Sequence, residues 1–285
     1  VLIENFKVGG LAKYGLDYDS LKEANPRLVY CSVTGFGQTG PYAPRAGYDF
    51  LMQGMSGLMS ITGEIDGEPQ KCGVAITDLF TGLYSVIAIQ AALAHRERTG
   101  KGQHIDMSLL DVATAVTANQ AWNYLATGNP PGLTGNAHPN IVPYQVLPTS
   151  DGHLIIACGN DGQYRRFCDV LGRPDLATHE NYITNPLRVK HREALVPVLQ
   201  QETLKLTKAD LLAACDANTV PAGPINNMKE LFEDPHVQAR GMQIELDGLP
   251  AVRSPIRFSG SDLATKDAAP KLGAHTEELL GKKTS

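Results

Sequence analysis

A chain of 285 residues, 42% hydrophobic and 19% charged, has the composition of an ordinary globular protein, with enough apolar material for one large or two smaller domains. Its net charge of −5 excludes the broad basic footprint that nucleic acid or an anionic membrane needs, so a phosphate-bearing ligand must find local basic residues. The five cysteines, Cys31, Cys72, Cys158, Cys168 and Cys215, are odd in number and scattered, as suits buried thiols in a reducing compartment; neither they nor the histidines show metal-ligand spacing, and no metal is expected.

Val1-Leu2-Ile3 reads as a buried strand with no leader before it, so the chain is expected to begin inside a domain. Short helical stretches follow, to about Tyr14 and around Asp19 to Ala24. Leu28 to Val33 alternates too little for a half-exposed strand and reads as one buried in a parallel α/β sheet. Gly35, Gly37 and Gly40 match G-x-G-x-x-G, but Pro41 and Pro44 keep the chain extended where the dinucleotide fingerprint needs a helix. A nicotinamide or flavin site is therefore rejected, and the loop is taken as a turn that lets backbone approach a ligand.

Tyr48 to Ser60 is predicted helical, with Met52, Met55 and Met59 in the core. A polar loop runs from Thr62 to Gly73. Thr77 or Asp78 is expected to cap a long helix that ends at Gly100 and whose near all-round apolar surface makes it central and buried. Its apolar run, Leu79 to Ala94, is broken by Thr81, Ser85 and Gln90 and falls short of a membrane span.

After a short strand, Ser108 stands before an apolar run, Leu109 to Trp122, with the carboxylate of Asp111 three residues on, the pattern of a capping box. Two readings of Asp111 follow. It caps its own helix and interacts with the positive end of the dipole, or the same placement holds a rigid carboxylate at the lip of a site, where it serves as a nucleophile. The helix is predicted to reach Tyr124 or Ala126, where Gly128-Asn129-Pro130-Pro131-Gly132 ends it. Residues 132–143 read as a linker between a larger unit, 1–131, and a small α+β unit, 144–240. In the latter, Tyr144 to Leu147 and His153 to Cys158 form a hairpin, followed by helices at Gln163 to Leu171, Asn185 to Leu206, Lys208 to Ala217 and Lys229 to Glu233. Gly241 to Phe258 again reads as strands.

Glu4-Asn5-Phe6, Asn25-Pro26-Arg27-Leu28, Gly35-Phe36-Gly37-Gln38-Thr39-Gly40-Pro41-Tyr42, Gly47-Tyr48-Asp49, Thr77-Asp78-Leu79, Arg96 to Asp111, Pro221-Ala222-Gly223-Pro224-Ile225 and Leu272-Gly273-Ala274-His275-Thr276 resemble, in this order, the family III CoA-transferases. That superfamily also holds formyl-CoA transferase, carnitine CoA-transferase and α-methylacyl-CoA racemase. The resemblance implies an α/β fold: a Rossmann-like large domain whose N-terminal part precedes Val1, a smaller α+β domain, and a segment 241–285 that returns to the large domain, with a tail through Lys282 to Ser285 that stops earlier than in relatives. It also implies interlocked homodimers, coenzyme A as substrate rather than resident cofactor, and a cytoplasmic location, or the mitochondrial matrix in a eukaryote.

Within this resemblance Asp111 matches the transferase nucleophile, and Asn5 and Phe6 match contacts to CoA, although Phe6 also reads as core. Arg45, Lys71 and Lys101 are candidates for phosphate or carboxylate contacts. The turns around Gly37 and Gly135 could supply backbone N–H groups to an oxyanion, and His138 lies in the linker beside the expected site. Tyr48, followed by Asp49, stands where the racemase branch has a histidine, and a phenol is a poor base at neutral pH. Asp78 matches the second racemase base, or only caps its helix. No polyglycine loop follows the nucleophile helix, which argues against formate or oxalate. The segments Gly135 to Tyr144 and Pro224-Ile225-Asn226-Asn227-Met228 resemble transferases that use succinyl-CoA with acceptors such as glutarate or hydroxymethylglutarate. The alternatives are an acyl-CoA racemase or epimerase, and a fragment that folds and dimerises without turnover.

Overall fold

The computed structural model describes residues 1–263 and 267–281; the last four residues of the tail lie outside the described residues. Three parallel strands organise the first half of the chain, β1 (Leu2–Glu4), β2 (Tyr30–Thr34) and β3 (His104–Ser108), in the spatial order β1-β2-β3. Between β1 and β2 lies α1 (Tyr18–Ala24), and between β2 and β3 lie α2 (Asp49–Met55) and α3 (Ile76–Thr99). β2 is the central strand, and burial of Val29, Tyr30, Cys31 and Ser32 explains its lack of polar alternation. Leu2–Glu4 is a strand, as expected, but not a buried one: it lies at the edge of this sheet, and Ile3 is 62% exposed.

The long helix corrects the sequence reading more deeply. It ends at Gly100, which takes the left-handed conformation, φ 75°. The face it buries, however, is the row Thr77, Thr81, Ser85, Ile89 and Ala92, spaced at one helical face and small enough to lie close to the sheet. Leu79, Leu83, Val86 and Ile87 are exposed, so the helix is not surrounded by core. By length and composition α3 is also apolar enough to cross a membrane, contrary to expectation; here it packs on β2, β3, α2 and the following helix.

The predicted helix at 48–60 is shorter. It stops at Met55, Gly57 adopts φ 85°, and a 3-10 turn follows at Met59–Ile61. Met52 is buried, whereas Met55 is exposed. The next predicted helix is two, α4 (Leu109–Ala115) and α5 (Ala118–Thr127). Thr114 and Thr117 hydroxyls bond back to the carbonyls of Leu110 and Thr114 at 2.8 and 2.7 Å, competition that bends helices, and Ala118 then takes φ 47°. Gly128, at φ 72°, ends α5.

β4 (Tyr144–Thr149) and β5 (Gly152–Ala157) form the expected antiparallel hairpin. Around it stand α6 (Asp161–Val170), α7 (Pro174–Thr178), α8 (Asn185–Lys190), α9 (Arg192–Thr203) and α10 (Lys208–Ala217), and β6 (Ala222–Pro224) adds antiparallel to β5. The predicted helix 185–206 is therefore divided, at His191. Leu147, Leu154, Ile156, Phe167, Leu195 and Leu199 anchor a large apolar core here. Arg188 is wholly buried within it, donating to Val142 O at 2.7 Å, Tyr182 O at 2.9 Å and Asp161 Oδ1 at 2.8 Å, so no part of the charge is left unpaired. The short α11 (Met228–Glu233) and α12 (Pro235–Ala239), the hairpin β7 (Gln243–Leu246) and β8 (Leu249–Val252), and α13 (Thr276–Leu280) complete the described elements. All five cysteines are free, and burial pushes the thiols of Cys158 up to about 12 and of Cys168 and Cys215 to about 11.

Candidate active site

The carboxyl ends of the three parallel strands open on one cleft of about 780 Å³, a volume that suits a small-molecule site. Asn5 and Phe6 enter it beyond β1, Gly35 beyond β2 and Leu109 beyond β3; Arg45 and Tyr48 come from the following loop, and Asp78, Thr81 and Ser85 from α3. Ligands of open α/β sheets bind in this position because successive strands deliver their loops to one end.

Asp111 sits in the first turn of α4, two residues past the cleft-lining Leu109. Ser108 accepts the Asp111 N–H at 3.2 Å, so the helix start is as expected, but only that half of the box forms. Among the described residues the Asp111 carboxylate has no hydrogen-bond or ion-pair partner, and it is exposed. The turn that carries it is fixed from behind: Leu109 and Ala113 pack with Met52 and Phe36, and the Leu110 N–H donates to Gly35 O at 3.1 Å. The backbone of this turn is thus seated while the carboxylate itself is left unused among the described residues.

Neither Thr77 nor Asp78 caps α3. The N-cap position is Ala75, and the free N–H groups are satisfied from outside the helix by Asp49, whose Oδ1 accepts from Thr77 N at 2.8 Å, Thr77 Oγ1 at 2.5 Å and Asp78 N at 3.4 Å. Its Oδ2 accepts from Gln53 Nε2 at 2.7 Å, and Gln53 Oε1 in turn takes the Cys72 N–H at 2.8 Å. Burial raises the Asp49 carboxyl, but the Thr77 hydroxyl, the Gln53 amide and the two backbone N–H groups outweigh it and hold the group below the ordinary range. Asp49 is thus a structural anchor outside the cleft lining, and Asp78 is released to face the cleft. Burial, then the neighbouring Asp49 charge, push the Asp78 carboxyl upward.

Arg45 lies over the rings of Tyr42 at 4.6 Å and Phe36 at 5.3 Å, a cation held on aromatic faces at the cleft wall. Phe6 is 59% exposed, which removes its reading as core, and Tyr48 is 77% exposed.

Besides Asp49, the residues lining this cleft do not include Gly37, Lys71, Lys101, Gly135 or His138, nor Asp111 itself. Lys71 is exposed and donates to Cys72 O at 3.3 Å. Gly135 joins a separate concavity with Gly63, Glu64 and Glu68, and its N–H is taken by Gly63 O at 3.0 Å. His138 holds the linker: its N–H donates to Tyr144 O at 2.9 Å, its Nδ1 accepts from Asn140 N at 3.1 Å, and Arg192 donates to its carbonyl at 3.2 Å. Burial and then the Arg192 charge lower its basicity, away from a general base at neutral pH. The loop around Gly37 is also less open than expected as an oxyanion donor. Thr34 Oγ1 takes the Gly37 N–H at 3.0 Å, and Asp106 takes that of Gln38.

Sequence reasoning passed over Ser85 and Gly47. Ser85 Oγ is buried at the cleft wall without a partner among the described residues, and the Thr77, Thr81, Ser85 row in an apolar helix was its visible signal. Gly47 crosses Gly35 so closely that an added Cβ would stand 2.5 Å from Gly35 Cα and 2.6 Å from Met52 Cε. Gly47→Ala is therefore expected to cost about 3 kcal/mol, read as a lowered urea midpoint at unchanged m; a loss under about 0.5 kcal/mol would show that the crossing yields easily.

The model of CoA-transferase family III matches residues 1–276. The chain belongs to this family. It is 59% identical over 285 residues to the succinate–glutarate CoA-transferase of Agrobacterium fabrum, covering 98% of this chain and 71% of that one. To the human succinyl-CoA:glutarate CoA-transferase it is 40% identical over 285 residues, covering 98% of this chain and 65% of the relative. Among solved structures, a CAIB/BAIF family protein from Brucella suis superposes with a TM-score of 0.84 at 58% identity, covering 98% of this chain and 74% of that chain. The mixed α/β fold with a strand-end cleft is thus the fold of the family III CoA-transferases.

Proposed function

We propose that this protein moves CoA from succinyl-CoA to glutarate or a related dicarboxylic acid, with Asp111 as covalent nucleophile. The observation that carries the reading is the unpartnered Asp111 carboxylate on a seated helix turn beside the strand-end cleft. Asp111 attacks the thioester carbonyl and CoA leaves as thiolate, giving an aspartyl-acyl anhydride. The thiolate then attacks the aspartyl carbonyl, releasing succinate and leaving an aspartyl-CoA thioester. The acceptor carboxylate runs the same steps in reverse, so each step trades one activated carbonyl for another with no oxidant and no net proton change.

Asn5, Phe6 and Arg45 line the path for the CoA arm or the substrate carboxylate, and the relatives named for succinate and glutarate support the acid pair. A second copy of the chain is the proposed cover for the apolar face that α3 leaves open, Leu79, Leu83, Val86 and Ile87.

The test is transfer from succinyl-CoA to a panel of glutarate, hydroxymethylglutarate, oxalate and formate, with acyl-CoA products read by mass spectrometry. Glutaryl-CoA is the expected product; transfer confined to formate or oxalate overturns the acid pair. In the same assay a 2-methylacyl-CoA in deuterated water is expected to show no α-exchange above background, because Tyr48 offers no imidazole opposite Asp78. Exchange at a catalytic rate that vanishes in Asp78→Ala would make the racemase reading right.

A further inference from the structure

At its start the segment from Gly35 to Gly40 is held against the nucleophile's helix by Phe36, which packs with Leu109 and Ala113; the turn beyond Phe36 needs another tie. Gln38 Nε2 is buried without a hydrogen-bond partner among the described residues, so the side-chain amide does not fix the loop. Its backbone is fixed instead. Both oxygens of Asp106 accept the Gln38 N–H, at 3.0 and 2.9 Å, across a sequence separation of 68. At the loop's other end Gly35 O accepts the N–H of Leu110, the residue before Asp111, at 3.1 Å. Gly37, at φ 83°, lies between these two brackets, close enough that a Cβ there would stand 3.4 Å from each Asp106 oxygen.

We propose that Asp106 is a positioning residue for transfer: its carboxylate sets how the glycine loop meets the first turn of α4, and so the approach of the thioester to Asp111. Asp106 and Leu110, the residue before Asp111, are tied to one loop from opposite ends. In β3 Asp106 pairs with Ser32 of β2, so the loop that leaves β2 at Thr34 must fold back across the strand ends to reach it. A charged acceptor makes this the strong kind of backbone hydrogen bond. Asp106 is itself exposed, so no apolar burial would hold the carboxylate in place if that bond were lost. Releasing it frees the loop where Gly35 lines the cleft while the nucleophile stays intact.

The inference rests on Asp111 being the nucleophile, and the test separates the two. Asp106→Ala, Asp106→Asn and Asp111→Ala are compared with the unchanged protein for kcat, for KM of acyl-CoA, and for the rate and final extent of adduct formation on Asp111. Asp106→Ala is expected to lower kcat and the adduct rate on the order of 10- to 100-fold, the effect of a misplacement near 1 Å, with KM within about twofold and the adduct still on Asp111. Asp106→Asn, which keeps one acceptor oxygen, is expected to recover part of the rate. A merely structural role would lower the number of sites that can be labelled and leave the rate per labelled site alone, and that outcome overturns the proposal. Thr34→Val keeps the shape and removes the hydroxyl that takes the Gly37 N–H, so it loosens the same loop by a different bond. An unchanged adduct rate in both Asp106→Ala and Thr34→Val also overturns it. An active Asp111→Ala would instead overturn the nucleophile assignment.

Discussion

Asp111→Ala is expected to lose CoA transfer on the order of 10³-fold or more and to form no covalent adduct, yet to unfold at nearly the same denaturant concentration as the unchanged protein. The two halves of this expectation come from one observation. The helix start is satisfied through the backbone, with Ser108 Oγ taking the Asp111 N–H at 3.2 Å, and the carboxylate itself contributes no bond among the described residues. Removing an exposed side chain of that kind changes stability by about 0.5 kcal/mol or less. Intact mass after mixing with succinyl-CoA, followed by peptide mapping, reads the first half, and a urea titration reads the second. An adduct that persists in Asp111→Ala places the nucleophile elsewhere. A collapse in stability would mean that the carboxylate is a structural cap after all.

The second large effect is expected at Asp49, and it has the opposite character. Asp49→Ala removes the acceptor for the first N–H groups of α3, for the Thr77 hydroxyl and for Gln53, leaving several donors unpaired at once. Loss of a cap together with stranded buried donors amounts to about 3 kcal/mol or more. Because the folded state holds the Asp49 carboxyl below the ordinary value of 3.8, its stabilisation is present above that value and is lost as pH falls through the folded pKa. Asp78, raised above 3.8, works against it: its contribution is present at lower pH and fades as pH rises through its folded pKa. Asp49→Asn is therefore expected to lower stability at neutral pH and to flatten the acid limb, measured as urea midpoints from about pH 2 to about pH 5. An acid limb as steep in Asp49→Asn as in the unchanged protein would assign it to other carboxylates.

These two aspartates mark the limit of what the sequence could disclose. Ser108 and Asp111 are three residues apart, and a helix start is a local event, so the pattern alone located it. The central strand at 30–34 and the helix stops at Gly100 and Gly128 were legible for the same reason. Asp49 meets Thr77 across 28 residues, and no local rule distinguishes it from Asp78, which occupies the first turn of α3 and does not cap it. The orientation of α3 was illegible in another way. Apolarity all round says only that some faces are covered, and here close approach to the sheet selected the small Thr and Ser row over the larger Leu79 and Leu83. The segregation of Lys71, Gly135 and His138 from the cleft likewise depends on how a polar loop and a linker pair with each other, which no periodicity encodes.

The bond set of Asp49 also decides how substitutions combine. One carboxylate serves the Gln53 amide on its own helix and the Thr77 hydroxyl and backbone of another, while Gln53 carries the tie onward to the backbone at Cys72. A change at any one of positions 49, 53 and 77 leaves the others with hydrogen-bonding capacity that nothing nearby absorbs. Substitutions at the three positions are therefore expected to be strongly non-additive, whereas the open carboxylate at 111 places no such constraint on its neighbours.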